Sequence, residues 1–129
     1  MSSNDGTRIA DGLVDTLAPL GAIAHRRFFG GRGIVCGEVQ FAMIIEGMLY
    51  LRVDAQLASL MQARGAQPFV YGTRRRNVEV YSYYGVPDEI LDDEALLIDW
   101  ARRSLQVARL HWKPRKPKAR VARALKIRS

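Results

Sequence analysis

The stretch Arg26-Arg27-Phe28-Phe29-Gly30-Gly31-Arg32-Gly33-Ile34 decides how this chain is read. Two aromatic residues end one extended segment, three glycines follow within four positions, and Ile34-Val35-Cys36 begins another. Glycine reaches φ > 0 and lets a second backbone come close, so the spacing predicts a turn of unusual geometry between two strands. A phosphate cradle is the rival reading. The dinucleotide fingerprint sets its glycines between a strand and a helix, and the P-loop needs Gly-Lys-Ser/Thr opening a helix. Here the run after Gly33 is β-branched and starts no helix, so Phe29, Gly30, Gly31 and Gly33 are read as a structural turn. Arg32 is the feature that keeps an anion in view.

Working outward, residues 22–29 form the strand before the turn, and Ile34–Cys36 and Gln40–Ile45 follow it through Gly37-Glu38. Glu46-Gly47 is a two-residue hairpin signal leading into Met48–Val53. Ahead of this region, Ile9, Leu13, Leu17 and Leu20 recur at near-helical spacing, which predicts a helix over 6–19 capped by Asn4 or Asp5. Behind it, Asp54 caps a second helix through about Arg64, with Leu57, Leu60 and Met61 as its buried stripe and Gly65 as its stop. Gln67–Tyr71 and Asn77–Tyr84 are two more strands, joined through Arg74, Arg75 and Arg76, which read as a solvated tip. Tyr81, Tyr83 and Tyr84 are read as packing residues, with base stacking as the alternative.

The last element is the longest helix, opened by Val86-Pro87, with Asp92, Asp93 and Glu94 at the start of its main segment. Leu97, Ala101, Leu105 and Ala108 make one apolar stripe; Leu96, Trp100 and Val107 make a second. So wide an apolar surface exceeds a single core-facing stripe. Either the helix is deeply buried, or Leu96, Trp100 and Val107 form a dimer face, and a homodimer is expected.

The ordered set Arg27 to Gly33, Phe41-Ala42, Leu49-Tyr50-Leu51-Arg52, Gly65 to Phe69, Tyr83 to Pro87 and Trp100 to Arg103 resembles the TfoX N-terminal domain family over about residues 9–109. The resemblance implies an α+β fold: a two-layer α-β-β-β-α-β-β-α domain with an antiparallel sheet packed against helices. It also implies a role near transcription, since the family is named for a competence regulator. Two departures stand out: Phe28 sits where the family usually places Met, and only a basic tail follows residue 109, where competence regulators carry a second domain.

Charge divides the chain at that point. Residues 109–129 hold nine Lys/Arg and no acid, whereas 1–108 hold eleven basic and thirteen acidic residues. The expected organisation is a domain over 1–109 and a flexible basic tail over 110–129. Lys113, Arg115, Lys116, Lys118, Arg120, Arg123, Lys126 and Arg128 are the candidate contacts to nucleic acid or another polyanion.

Catalytic groups are few. His25 and His111 lack the spaced carboxylates or cysteines of a metal site, and no Ser or Cys stands in a nucleophile-elbow context. No enzyme activity, cofactor or metal is expected. Cys36 is the single cysteine, so it is either a small buried hydrophobe or a redox-sensitive thiol that pairs only with another molecule. The polar opening Ser2-Ser3-Asn4-Asp5 is unlike a signal peptide, and no apolar run reaches the roughly 20 residues that span a bilayer. A cytoplasmic regulator is therefore expected, binding a protein partner of transcription or another DNA transaction and attaching to DNA through its tail, with no membrane contact. The alternative is a redox-gated inhibitor or adaptor that dimerises through Cys36.

Overall fold

A computed structural model describes residues 6–72 and 75–113. Helix α1 (Thr7–Thr16) and a 3-10 turn (Ala18–Leu20) lead into four strands: β1 (Ile23–Phe28), β2 (Gly31–Cys36), β3 (Val39–Ile45) and β4 (Met48–Arg52). Helix α2 (Ala55–Gln62) follows, then β5 (Pro68–Gly72), β6 (Asn77–Gly85), α3 (Asp88–Leu91) and α4 (Glu94–His111). The six strands form one antiparallel sheet in the order β1-β2-β3-β4-β6-β5, with β1 and β5 at its edges. The resemblance implied three strands before the second helix. The structure has four, because Gly37-Glu38 and Glu46-Gly47 both reverse the chain.

The α+β class holds, and all helices that touch the sheet do so from one side. Helix α1 lies on β1 and β2, α4 crosses β3 and β4, and α2 packs on β6. Strand alternation sends Ile34, Ala42, Ile44, Leu49, Leu51 and Tyr84 into that layer, where they meet Leu13, Leu57, Leu97, Ala101 and Leu105. Ser104 is the buried polar exception: its hydroxyl lies 2.8 Å from the carbonyls of both Phe41 and Arg52, tying α4 to the ends of β3 and β4.

Several local expectations need correction. The glycine stretch is not all turn. Phe28 pairs with Gly31, so the reversal is only Phe29-Gly30, and Gly31, Arg32 and Gly33 are strand. Both turn residues have positive φ (48° and 79°), as do Glu46 and Gly47 (52° and 81°); each tip is a type I′ hairpin, whose twist matches that of its strands. The first helix ends at Thr16 instead of running to Pro19, and Gly6 is its N-cap residue; Asn4 and Asp5 lie outside the described residues. The long last helix is two: α3 stops at Leu91, and Asp93 starts α4 by accepting a hydrogen bond from the Leu96 amide at 3.1 Å.

Candidate functional site: the uncovered face of the sheet

The side of the sheet opposite the helices carries Arg26 and Phe28 from β1, Met43 and Ile45 from β3, Tyr50 and Arg52 from β4 and Tyr83 from β6. Opposite Phe28 and Arg26 stand Gly31 and Gly33, which keep β2 low on this face. Polar side chains link one end of it. The Arg26 guanidinium donates to Gln40 Oε1 at 3.4 Å, Gln40 Nε2 reaches the Tyr83 hydroxyl at 3.5 Å, and the Arg52 guanidinium carbon lies 6.0 Å from the Tyr83 ring centre. The Nε of Arg52 is buried and has no hydrogen-bond partner among the described residues. The other end is apolar: Tyr50 meets Phe69 edge-on at 4.9 Å, and a groove of about 700 Å³ runs between the Phe29-Gly30 tip and the β5–β6 hairpin. Burial, reinforced by the nearby Glu46 carboxylate, holds the Tyr50 phenol above its ordinary value.

Of the residues singled out from sequence, Phe29 and Gly30 line this groove, while Gly31 and Gly33 shape the strand behind it. The three tyrosines do not form a stacking row. Tyr84 is buried on the helix side and bonds Gln62 through its hydroxyl, Tyr83 is on the uncovered face, and exposed Tyr81 donates to Glu79. Arg52, Gln40 and Phe69 were missed, because each meets its aromatic partner across a gap in sequence: Arg52 and Gln40 meet Tyr83 of β6, and Phe69 of β5 meets Tyr50 of β4.

The apolar width of the last helix is absorbed within one chain. Trp100 is 4% exposed and Val107 is buried with it, while Leu96 packs against the same core. The Arg103 and Arg64 guanidiniums lie 4.7 and 5.8 Å from the Trp100 ring centre.

Cys36 is half-buried at the end of β2. A cation stands beside it: the guanidinium of Arg109 donates to Sγ at 3.6 Å across 73 residues of sequence. Arg32 instead donates to His25 Nδ1 at 3.0 Å. That leaves His25 Nε2 to carry the proton toward Asp11, 2.8 Å away, and fastens α1 to the sheet.

Lys113 is exposed just after α4. Arg115, Lys116, Lys118, Arg120, Arg123, Lys126 and Arg128 lie outside the described residues, as does Arg74. Among the described residues no group of three His, Cys, Asp or Glu side chains is placed to hold a metal ion. No helix among them is long and apolar enough to cross a membrane.

An antiparallel sheet with helices on one side and an arginine- and aromatic-bearing face on the other defines a two-layer α+β domain. The chain belongs to the TfoX N-terminal domain family, whose model matches residues 15–108. It is 30% identical over 92 residues to Protein Sxy of Escherichia coli (strain K12), an alignment covering 71% of this chain and 44% of that protein. The chain thus spans less than half the length of this relative.

Proposed function

We propose that this chain is a non-enzymatic regulator whose folded body binds a protein partner engaged in transcription or another DNA transaction, and whose basic tail adds electrostatic attachment to DNA. The observation that carries this reading is the partition of charge: residues 109–129 hold nine cations and no acid, beside a body in which acids slightly outnumber bases. Lys and Arg release condensed counterions when they neutralise phosphates, so such a tail holds DNA without reading its sequence. Family membership supports the regulatory part.

The test is capture of a partner by the tagged chain from its native cytoplasm, alongside duplex DNA binding, for the full chain and for a chain ending at Trp112. The core closes at Ala108 and α4 ends at His111, so the shortened chain is expected to stay folded. It should keep the partner and lose the DNA. Equal DNA binding by both chains would move the attachment to the body.

A second reading is a redox-gated adaptor joined through Cys36, favoured by the contact between Sγ and Arg109. Mild oxidant should then give a covalent dimer with the native chain and none with Cys36→Ser. A thiol that reacts with a water-soluble probe only after denaturation overturns it.

A further inference from the structure

We propose that the groove on the uncovered face receives a segment of the protein partner bearing large apolar anchors and a carboxylate, and that Phe29 is the aromatic post against which the segment closes. The inference deepens the partner-binding reading and rests on it. Three observations converge.

The first is Phe29 itself. A type I′ turn favours Asn-Gly, because both central residues need positive φ, and a bulky residue in that region is an outlier. Phe29 holds φ at 48° and leaves 86% of its surface exposed. Its edge-on contact with Phe28 recovers part of this burden. Asparagine would serve the turn better, and a residue that suits its own fold poorly points to a use outside it.

Next comes the shape behind it. Met43, Ile45 and Phe69 line a groove whose far wall is Tyr71, itself 57% exposed. Bases of single-stranded nucleic acid stack on flat, open ring faces. Here Met43, Ile45, Val70 and Val80 stand among the aromatic residues of the lining, Met43 is buried, and the neighbouring Tyr50 and Phe69 rings meet at 76°. Such a trough fits aliphatic and aromatic side chains of a peptide better than a row of bases.

Charge supplies the third. Arg26 stands two residues from Phe28 on the same face of β1, and Arg52 lies over Tyr83, which lines the groove. Among the described residues no carboxylate pairs with either arginine, and Arg52 Nε has no partner. The groove's own lining holds one carboxylate, Glu46 at the β3–β4 turn, and neither arginine; beside its Tyr83 wall the two arginines offer an incoming carboxylate charge-assisted hydrogen bonds. Arginine and large aromatics are also the residues that dominate interface energetics.

The probe is a phage-displayed library of random peptides selected against the immobilised full chain, with the winning peptide titrated in solution and mapped by amide chemical shifts. Selected peptides should combine aromatic or large aliphatic residues with Asp or Glu and shift residues of the β1–β2 turn and of β5. Phe29→Asn, which relieves the turn, should melt at the same or a higher temperature yet bind at least about 10-fold more weakly. Arg26→Gln should weaken binding several-fold and flatten its salt dependence. Failure to enrich any peptide, unchanged binding by Phe29→Asn, or shifts confined to the helix side overturns the proposal. So does a labelled oligo-dT that shifts the same residues, which makes the groove a nucleic-acid site. If Phe29→Asn still captures the native partner, the groove assignment fails while the regulator reading stands; if even the native chain captures none, the regulator reading itself fails.

Discussion

A β-carbon added at Gly31 would stand 2.0 Å from the carbonyl oxygen of Ile44, and backbone cannot give way as a side chain can. At Gly33 the nearest atom is Oε1 of Gln40, at 2.4 Å, the end of a flexible chain. Gly31→Ala should therefore cost about 3 kcal/mol and Gly33→Ala nearer about 1 kcal/mol, measured by urea denaturation. Equal costs would mean that neither glycine is held by close approach. Sequence marked both glycines, but as turn residues. The pattern Gly-Gly-x-Gly cannot distinguish a need for positive φ from a need for space, and only Gly30 of the three has the former. Tyr50 offers a second test. Its phenol is raised by burial first and by Glu46 second, so the unfolded chain ionises before the folded one. The neutral phenol thus favours the fold below the ordinary tyrosine value of about 10, and that contribution is lost as pH rises beyond it. Tyr50→Phe should show a smaller alkaline loss of stability than the native chain.

Among the elements, those set by neighbouring residues were legible. The Asp54 cap is where the sequence put it, accepting from the Leu57 amide at 2.9 Å, and Glu46-Gly47 is the expected tight hairpin. What escaped depends on long-range pairing. Strand β6 inserts between β4 and β5, placing Tyr83 beside Arg52, and α4 carries Arg109 to Cys36. No local pattern encodes either meeting. The break before α4 was half visible, since acids at 92–94 were read as a helix start without the preceding turn being separated. Asp93→Ala removes the cap of the helix that crosses β3 and β4 and should cost about 1 kcal/mol in thermal or chemical unfolding. Trp100→Glu tests a different property of α4. A carboxylate put in the buried place of Trp100, within the cluster that holds Leu97 and Leu105, should unfold the domain, read as loss of near-UV circular dichroism; a folded variant that merely changes its sedimentation would support the dimer face.

At the scale of the whole molecule, a slightly acidic body is joined to a strongly basic end. If about five of the tail's cations touch phosphate, log affinity for duplex DNA should fall against log salt with a slope near −4 to −5, and binding at physiological salt should be micromolar or weaker. Proline has no N–H to give a helix, so the sequence at 114 and 117 disfavours a recognition helix and little discrimination between DNA sequences is expected. A flat salt profile would separate the tail from DNA altogether. The proposed function assigns the two parts different work: partner choice to the geometry built by six paired strands, and attachment to the charge of residues 109–129.

The two rims of the sheet are unequal, and this bears on whether a second copy can add to either edge. Strand β5 opens with Pro68, which has no N–H to offer an incoming strand, whereas β1 presents exposed Arg26 and Arg27 along its run. Another copy aligning along β1 brings like charges together, a common guard against end-to-end stacking of sheets. One rim is thus protected by covalent structure, which no solvent alters, and the other by ionic repulsion, which dissolved salt weakens. Added salt should therefore weaken the guard on β1 and leave that on β5 unchanged, which sedimentation across a salt series would read.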